Sequence, residues 1–270
     1  MLMEVAYLKD VLVTGAYGGM GRAIVKALCE RGYRVLALDK DTDEPQENVI
    51  PIKADITSPE QISAAYHCAT QHTNTLFAIV HLAGVYMLDS LAEMSNHDFD
   101  RIISINLRGA FLINKTFLPL MKSGGRIIMV TSELATVDPL PFTGIYAVTK
   151  SALDKYAYSL AMELQLKGIR VSVLRAGAVS TDMLGVSTAA LDRFCKNTKL
   201  YTCNADRFKK IVEGVEARSI PPQRLAKKAI SLLEAKRPPF ARSINRNPLL
   251  VLLSILPKRL QLFIIKAILK

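Results

Sequence analysis

The sequence predicts an α/β fold, a doubly wound parallel sheet between two layers of helices, on three observations. Short apolar runs alternate with amphipathic stretches of helical length along most of the chain. The first run leads directly into a glycine-rich turn and a helix. The second ends on a carboxylate, Asp39, where such sheets meet a nucleotide ribose. A chain of 270 residues, 50% of them hydrophobic, can bury a large core, and no linker divides it. One domain is expected over residues 1–247, with substrate-side loops and helices over about 182–220, followed by an apolar and basic segment over 248–270.

Asp10 to Thr14 lacks helical period and reads as the first strand. The turn Gly15, Ala16, Tyr17, Gly18, Gly19, Met20, Gly21 follows, and then a helix over Arg22–Arg31. Glycine permits positive φ and close backbone approach, while a helix start offers N–H groups to an anion such as a dinucleotide pyrophosphate. Arg34–Asp39 is the second strand, and Asp39 at its end is placed to accept hydrogen bonds from an adenosine ribose, which favours NAD. The competing reading is a turn-forming Asp in the polar run Asp39–Glu44, and Lys40 beside it keeps NADP as the alternative cofactor.

Val49–Asp55 supplies the third strand, and Leu76–His81 the fourth. Between them Ser58 is placed as the N-cap, with Pro59 in the first turn, of a helix to about His72. Ligands bind such sheets at the carboxyl ends of strands near the switch in strand order, which directs attention to Asp55, to Ala83 and Gly84, and to the ends of strands five and six. Asn96–Met121 reads as one long helix, in which Asn106 is a poor mid-helix residue and a candidate for a buried polar role. Arg126–Thr131 is the fifth strand, with Ser132 just beyond it and Glu133 read as a solvated loop carboxylate. A helix then opens at Tyr146 and runs to about Leu166, Arg170–Arg175 is the sixth strand, and a further helix spans Pro222–Lys236.

On the helix that opens at Tyr146, Tyr146 and Lys150 share a face, with Cβ atoms about 5–6 Å apart. The ammonium is expected to favour the phenolate and to draw the phenol down from its usual pKa of about 10. Alone, Y-x-x-x-K would equally suit a solvated surface pair. The elements that precede it argue for chemistry.

In order and spacing these motifs resemble the short-chain dehydrogenase/reductase family over about residues 9–182. Thr14-Gly15-x-x-x-Gly19-x-Gly21 is similar to the family's cofactor turn, which would include Tyr17, Gly18 and Met20. Asp55-Ile56-Thr57 resembles its adenine-contacting segment, and Asn106, Ser132, Tyr146 and Lys150 resemble its catalytic tetrad. His81-Leu82-Ala83-Gly84 stands where the family has Asn-Asn-Ala-Gly, and His81 is expected to be a structural substitute. Ala176-Gly177-x-Val179-x-Thr181 resembles the segment that receives the nicotinamide carboxamide, with alanine in place of the usual proline. Ser132 and Tyr146 are fourteen residues apart, one more than the family pattern, which implies a small insertion around Asp138–Pro141.

The resemblance implies a Rossmann fold and hydride transfer between a substrate carbinol carbon and the nicotinamide. Tyr146 would be the general acid/base, and Lys150 would lower its pKa and bind the nicotinamide ribose. Ser132 would hold the substrate oxygen, Asn106 a relay water. A homo-oligomer, dimer or tetramer, is also implied.

The net charge of +11 is concentrated late in the chain: Arg207–Lys270 holds fifteen Lys/Arg against three Asp/Glu. These cations are interleaved with aliphatics rather than with stacking aromatics, which speaks against nucleic acid. Eight residues between Pro248 and Pro257 are too few to span a bilayer. Lys258–Lys270 has the composition of an interfacial helix attracted to anionic lipid, and the competing reading is a helix closing over the substrate cleft or packing in a dimer. Four cysteines without metal-ligand spacing, and no signal-like N-terminus, point to reduced thiols in a cytoplasmic protein without a metal.

Val85–Leu88, Leu134–Phe142 and Met183–Thr202 are apolar and aromatic, which suits a lipophilic alcohol or ketone. The tail resembles those of retinol and 17β-hydroxysteroid dehydrogenase-like members, and so points to hydroxysteroid, bile-acid or retinoid substrates. Two other readings compete. A sugar epimerase or dehydratase of the extended branch would need more than the roughly ninety residues after Thr181, and a dinucleotide sensor or nucleic-acid binder would have no use for the tetrad.

Overall fold

The computed structural model describes residues 9–216 and 218–270, without the side chains of 182–189, 206 and 213–216. Its strands are β1 (Asp10–Thr14), β2 (Arg34–Asp39), β3 (Val49–Lys53), β4 (Leu76–His81), β5 (Met121–Ser132), β6 (Arg170–Ala176) and β7 (Ala241–Ile244). All pair in parallel, in the order β3-β2-β1-β4-β5-β6-β7. Both faces of the sheet are covered, so the inner strands β1, β2 and β4 are predominantly apolar. Leu12, Leu36 and Leu38 face one layer; their neighbours Val11, Val13, Val35 and Ala37 face the other, as the two-residue period of a strand requires.

The first layer contains α2 (Pro59–His72), α4 (Gly109–Phe117) and α5 (Gly144–Leu164), and the second α1 (Gly19–Cys29) and α8 (Pro222–Glu234). Ser58 caps α2 by accepting from the Gln61 N–H at 3.2 Å, as its spacing predicts. Because the chain runs outward from β1 to β3 and then returns to β4 on the other side, the strand order switches between β1 and β4. A crevice opens there at the carboxyl ends of the strands.

Three expectations change. The long helix is α3 (Asn96–Ile103) and α4 joined by a π-helical turn, Ser104–Arg108, and it ends at Phe117 ahead of Pro119. β5 starts five residues early at Met121, with a register shift before Arg126. The edge strand β7 is too short and polar to read in the sequence.

The remaining helices are α6 (Asp182–Asn197), α7 (Thr202–Glu216), α9 (Pro248–Ile255) and α10 (Lys258–Leu269). Residues 248–270 join the body of the fold: Leu250, Gln261 and Leu269 are buried, and the Asn204 side chain donates to the Leu269 carbonyl at 2.7 Å. Among the described residues no helix is long and apolar enough to cross a membrane.

Candidate active site

At the end of β1, Gly15 takes φ +69 and starts the turn. A Cβ on Gly21 would lie 2.0 Å from the Gly15 carbonyl oxygen, and one on Gly19 would lie 2.7 Å from Thr181. Only hydrogen fits at either position. α2 and α3 have serine side chains on their first turns, whereas α1 has Gly18 at its N-cap, with no side-chain cap and no acidic residue in its first turn. Its leading N–H groups are left for an anion, which fits the pyrophosphate of a dinucleotide.

Tyr17, Gly18 and Met20 line the same cleft, with Asp39, Asp55, Ile56, Ala83 and Gly84 along its length. The Asp39 carboxylate accepts from the N–H groups of Tyr17 (3.0 Å) and Lys40 (2.8 Å), so the glycine turn fixes its orientation. Asp55 spends one carboxylate oxygen on the N–H and hydroxyl of Thr57. Ile56 packs against Gly109, where a Cβ would come within 2.6 Å of it. Thr14 does not line the cleft. It is buried beneath the turn, where its hydroxyl accepts from the Ala83 N–H at 3.4 Å and ties β1 to β4.

The tetrad converges beyond Gly84. Ser132 ends β5, accepts from the Leu134 N–H at 3.2 Å and hydrogen-bonds the phenol of Tyr146. Lys150 lies one turn further along α5, with Nζ 5.7 Å from the centre of the Tyr146 ring. A Cβ on Gly84 would sit 3.3 Å from that Nζ and 3.2 Å from Asn106 Oδ1. The buried Asn106 accepts from the Val85 N–H at 2.8 Å and donates to the Val85 carbonyl at 2.9 Å and the Thr149 hydroxyl at 3.1 Å. Both amide hydrogens are committed, so any further partner of this side chain meets an acceptor.

Burial dominates the electrostatics. It pushes the phenol of Tyr146 above its ordinary value; the Ser132 hydrogen bond draws it back in part, and neighbouring Tyr86 adds to the rise. The expected depression by Lys150 is therefore not what this arrangement produces. Burial also pushes Lys150 down from 10.5 to about 8. The pair is braced from behind by Arg175, whose guanidinium makes two 2.8 Å bonds to Asp154 on α5.

Tyr146, Lys150 and Ser132 form one wall of a cavity of about 180 Å³, completed by Gly177, Val179 and Thr181 after β6. It meets the cofactor cleft at Met20, Gly84 and Thr181. Tyr86 stacks edge-on against Tyr146, with centroids 4.9 Å apart. The expected apolar lining is present in Val85, Leu134 and Leu140, while the side chain of Met183 lies outside the described residues. Phe208, Ile211 and Val212 of α7 fall within the stretch expected on the substrate side but were not singled out, and Leu250 of α9 lies outside it. Their helical periodicity marks an apolar face but not what that face covers.

Glu133 is not solvated. It is buried in the cavity wall and accepts from the Asn247 N–H at 2.6 Å, and burial pushes its carboxyl above the usual range. The loop marked as an insertion also holds the C-terminal helices: Asp138 pairs with Lys258, and its N–H donates to Ser254 Oγ at 3.0 Å. His81 is structural, buried at 2.9 Å from the Asn114 side chain.

Comparison with known proteins agrees with this geometry. The chain is 32% identical over 186 residues to a versicolorin reductase of Emericella nidulans, covering 65% of this chain and 70% of that protein. It is 31% identical to a hydroxynaphthalene reductase-like protein of Metarhizium acridum at the same coverage. These reductases stand where the tail suggested retinol and 17β-hydroxysteroid dehydrogenases. A short chain dehydrogenase family protein from Francisella tularensis shares the fold, with a TM-score of 0.74 and 23% identity over 88% of this chain and 97% of that one. The short chain dehydrogenase profile matches residues 9–192, from β1 through the tetrad into α6. The chain belongs to the short chain dehydrogenase family and is an NAD(P)-dependent oxidoreductase.

Proposed function

We propose that the protein interconverts a lipophilic secondary alcohol and its ketone, with NAD(H) as cofactor and Tyr146 as general acid/base. One observation carries the reading: Tyr146, bonded to Ser132 and followed one turn on by Lys150, faces an apolar cavity that opens into the glycine-lined cleft. The nicotinamide, when bound, supplies or accepts the hydride.

Ser132 donates to the substrate oxygen and fixes its position beside the phenol. Tyr146, neutral at physiological pH, gives its proton to that oxygen in reduction and is left as phenolate; in oxidation it must first lose its proton, and the phenolate then takes the proton of the alcohol. Lys150 would hold the ribose hydroxyls of the cofactor, and its ammonium, fixed there, would counter the rise that burial imposes on the phenol. Asn106 holds Val85 and α5 in register, and its carbonyl oxygen is the acceptor for a relay water.

Asp39 argues for NAD, since a carboxylate held by two backbone N–H groups would repel a 2′-phosphate. The cavity walls suit a ring-bearing substrate. Fused aromatic ketones, suggested by the names of the relatives, join the hydroxysteroid, bile-acid and retinoid classes as candidates. Exposed Phe111, Val148 and Met162 on α4 and α5 supply an apolar surface for a homo-oligomer.

Tyr146→Phe is the test. Turnover of a panel of ring ketones with NADH should fall by at least about a thousandfold, while NADH binding stays within about threefold. Retained turnover overturns the assignment.

A further inference from the structure

We infer that the exposed sides of the two C-terminal helices, α9 and α10, are a docking surface for an anionic lipid bilayer. The two helices have opposite duties on their two sides. Inward, Leu250 lines the substrate cavity, and Leu269 and Ile265 pack into the apolar cluster under α7. Outward, α9 presents Leu249, Leu252 and Ile255 at 63%, 59% and 75% exposure, three and six residues apart along one stripe.

α10 likewise exposes Leu262 and Phe263, at 71% and 67%. Its outward stripe also carries Arg259, Lys266 and Lys270, which share a helical face with Phe263. Seven of the fifteen large exposed apolar side chains of the described residues fall in these two helices. Packing against the fold has thus left them uncovered, rather than absorbed them.

Charge decides the occupant. Residues 248–270 contain four Lys/Arg and no Asp/Glu. A second copy set against this face by two-fold symmetry would bring like charges together, and a nucleic acid would leave the leucines and Phe263 in water. An anionic bilayer takes both, the aliphatics among acyl chains and the cations among headgroups. The two helices are pinned to the body by Lys258–Asp138 and Asp138–Ser254, so docking would bring the cavity wall to the lipid surface.

The experiment is co-sedimentation of the full chain with vesicles of phosphatidylcholine alone or mixed with phosphatidylglycerol. The protein should pellet with the mixed vesicles and be released by high salt. Leu262→Glu with Phe263→Glu should lower partitioning at least about tenfold, and Arg259→Gln with Lys266→Gln about thirtyfold. Leu166→Glu, an equally exposed leucine after α5, should leave it unchanged. Thermal melts of all variants should match the parent, because none of these side chains is buried. Wild-type protein left in the supernatant, or double variants that pellet as well as wild type, would overturn the proposal. So would light scattering in which Phe263→Glu halves the mass while partitioning is retained, since that outcome assigns the face to a second copy. The Tyr146→Phe result bears on none of these readouts.

Discussion

Replacing His81 by asparagine tests how the end of β4 is held. The His81 ring is 4% exposed, and its Nε2 lies 2.9 Å from Asn114 Oδ1. An amide oxygen only accepts, so Nε2 carries the proton and the neutral ring satisfies the contact. Burial pushes the ring from 6.5 down to about 4, against a small opposing effect of the Asn114 bond. A depressed folded value means that this contribution to stability is intact above pH 6.5 and is lost as the pH falls toward 4.

At about 1.4 kcal/mol per tenfold change in proton concentration, the loss across that window is about 3 kcal/mol. That is a large part of a typical stability of about 5–15 kcal/mol. Urea unfolding of wild type and His81→Asn from neutrality down to about pH 4 measures it, since other groups titrate in both chains and cancel in the difference. The stability gap should change by about 3 kcal/mol in favour of the variant on acidification. Parallel pH curves would refute the reasoning, because they would mean that His81 is protonated in the folded protein without cost.

Asp154→Ala should destabilise the fold by about 3 kcal/mol in urea, because it strands the Arg175 guanidinium beside β5 and β6; a loss near zero would show that the pair does not brace α5. Gly177→Ala puts a Cβ 1.9 Å from the Asn245 carbonyl oxygen, so a melting shift equivalent to about 1–3 kcal/mol and loss of turnover are expected. Asp39→Ser removes the carboxylate held by Tyr17 and Lys40, and the NAD/NADP ratio of kcat/KM should drop about thirtyfold, the value of one charged hydrogen bond of about 2 kcal/mol.

What was legible in the sequence followed from local rules. β1, β2 and β4 fall at the expected residues because each is a run of apolar residues bounded by turn chemistry, and Ser58 announces α2 through its cap. Asn106, Ser132, Tyr146 and Lys150 were named together because their order resembles that of the family; helix spacing alone pairs only Tyr146 with Lys150. The π turn at Asn106 was hidden because its five residues are too few to show a period of their own. Glu133 was misjudged because the N–H that satisfies it belongs to Asn247, 114 residues later. The shift of Tyr146 was misjudged for a related reason: i,i+4 spacing gives the neighbour, whereas the dominant effect is enclosure by segments from across the chain.

The Glu133–Asn247 bond also has a bearing on how the protein is made. Ser132, Tyr146 and Lys150 leave the ribosome long before Asn247 and Leu250, so a nascent chain can assemble β1 to β6 and the tetrad while one wall of the cavity is still unsynthesised. Until then, the carboxyl of Glu133 has water for a partner and the apolar faces of α7 lack their cover. Acquisition of the residues from Asn247 onward therefore adds the last wall of the cavity, and turnover during synthesis would report that event rather than the formation of the sheet.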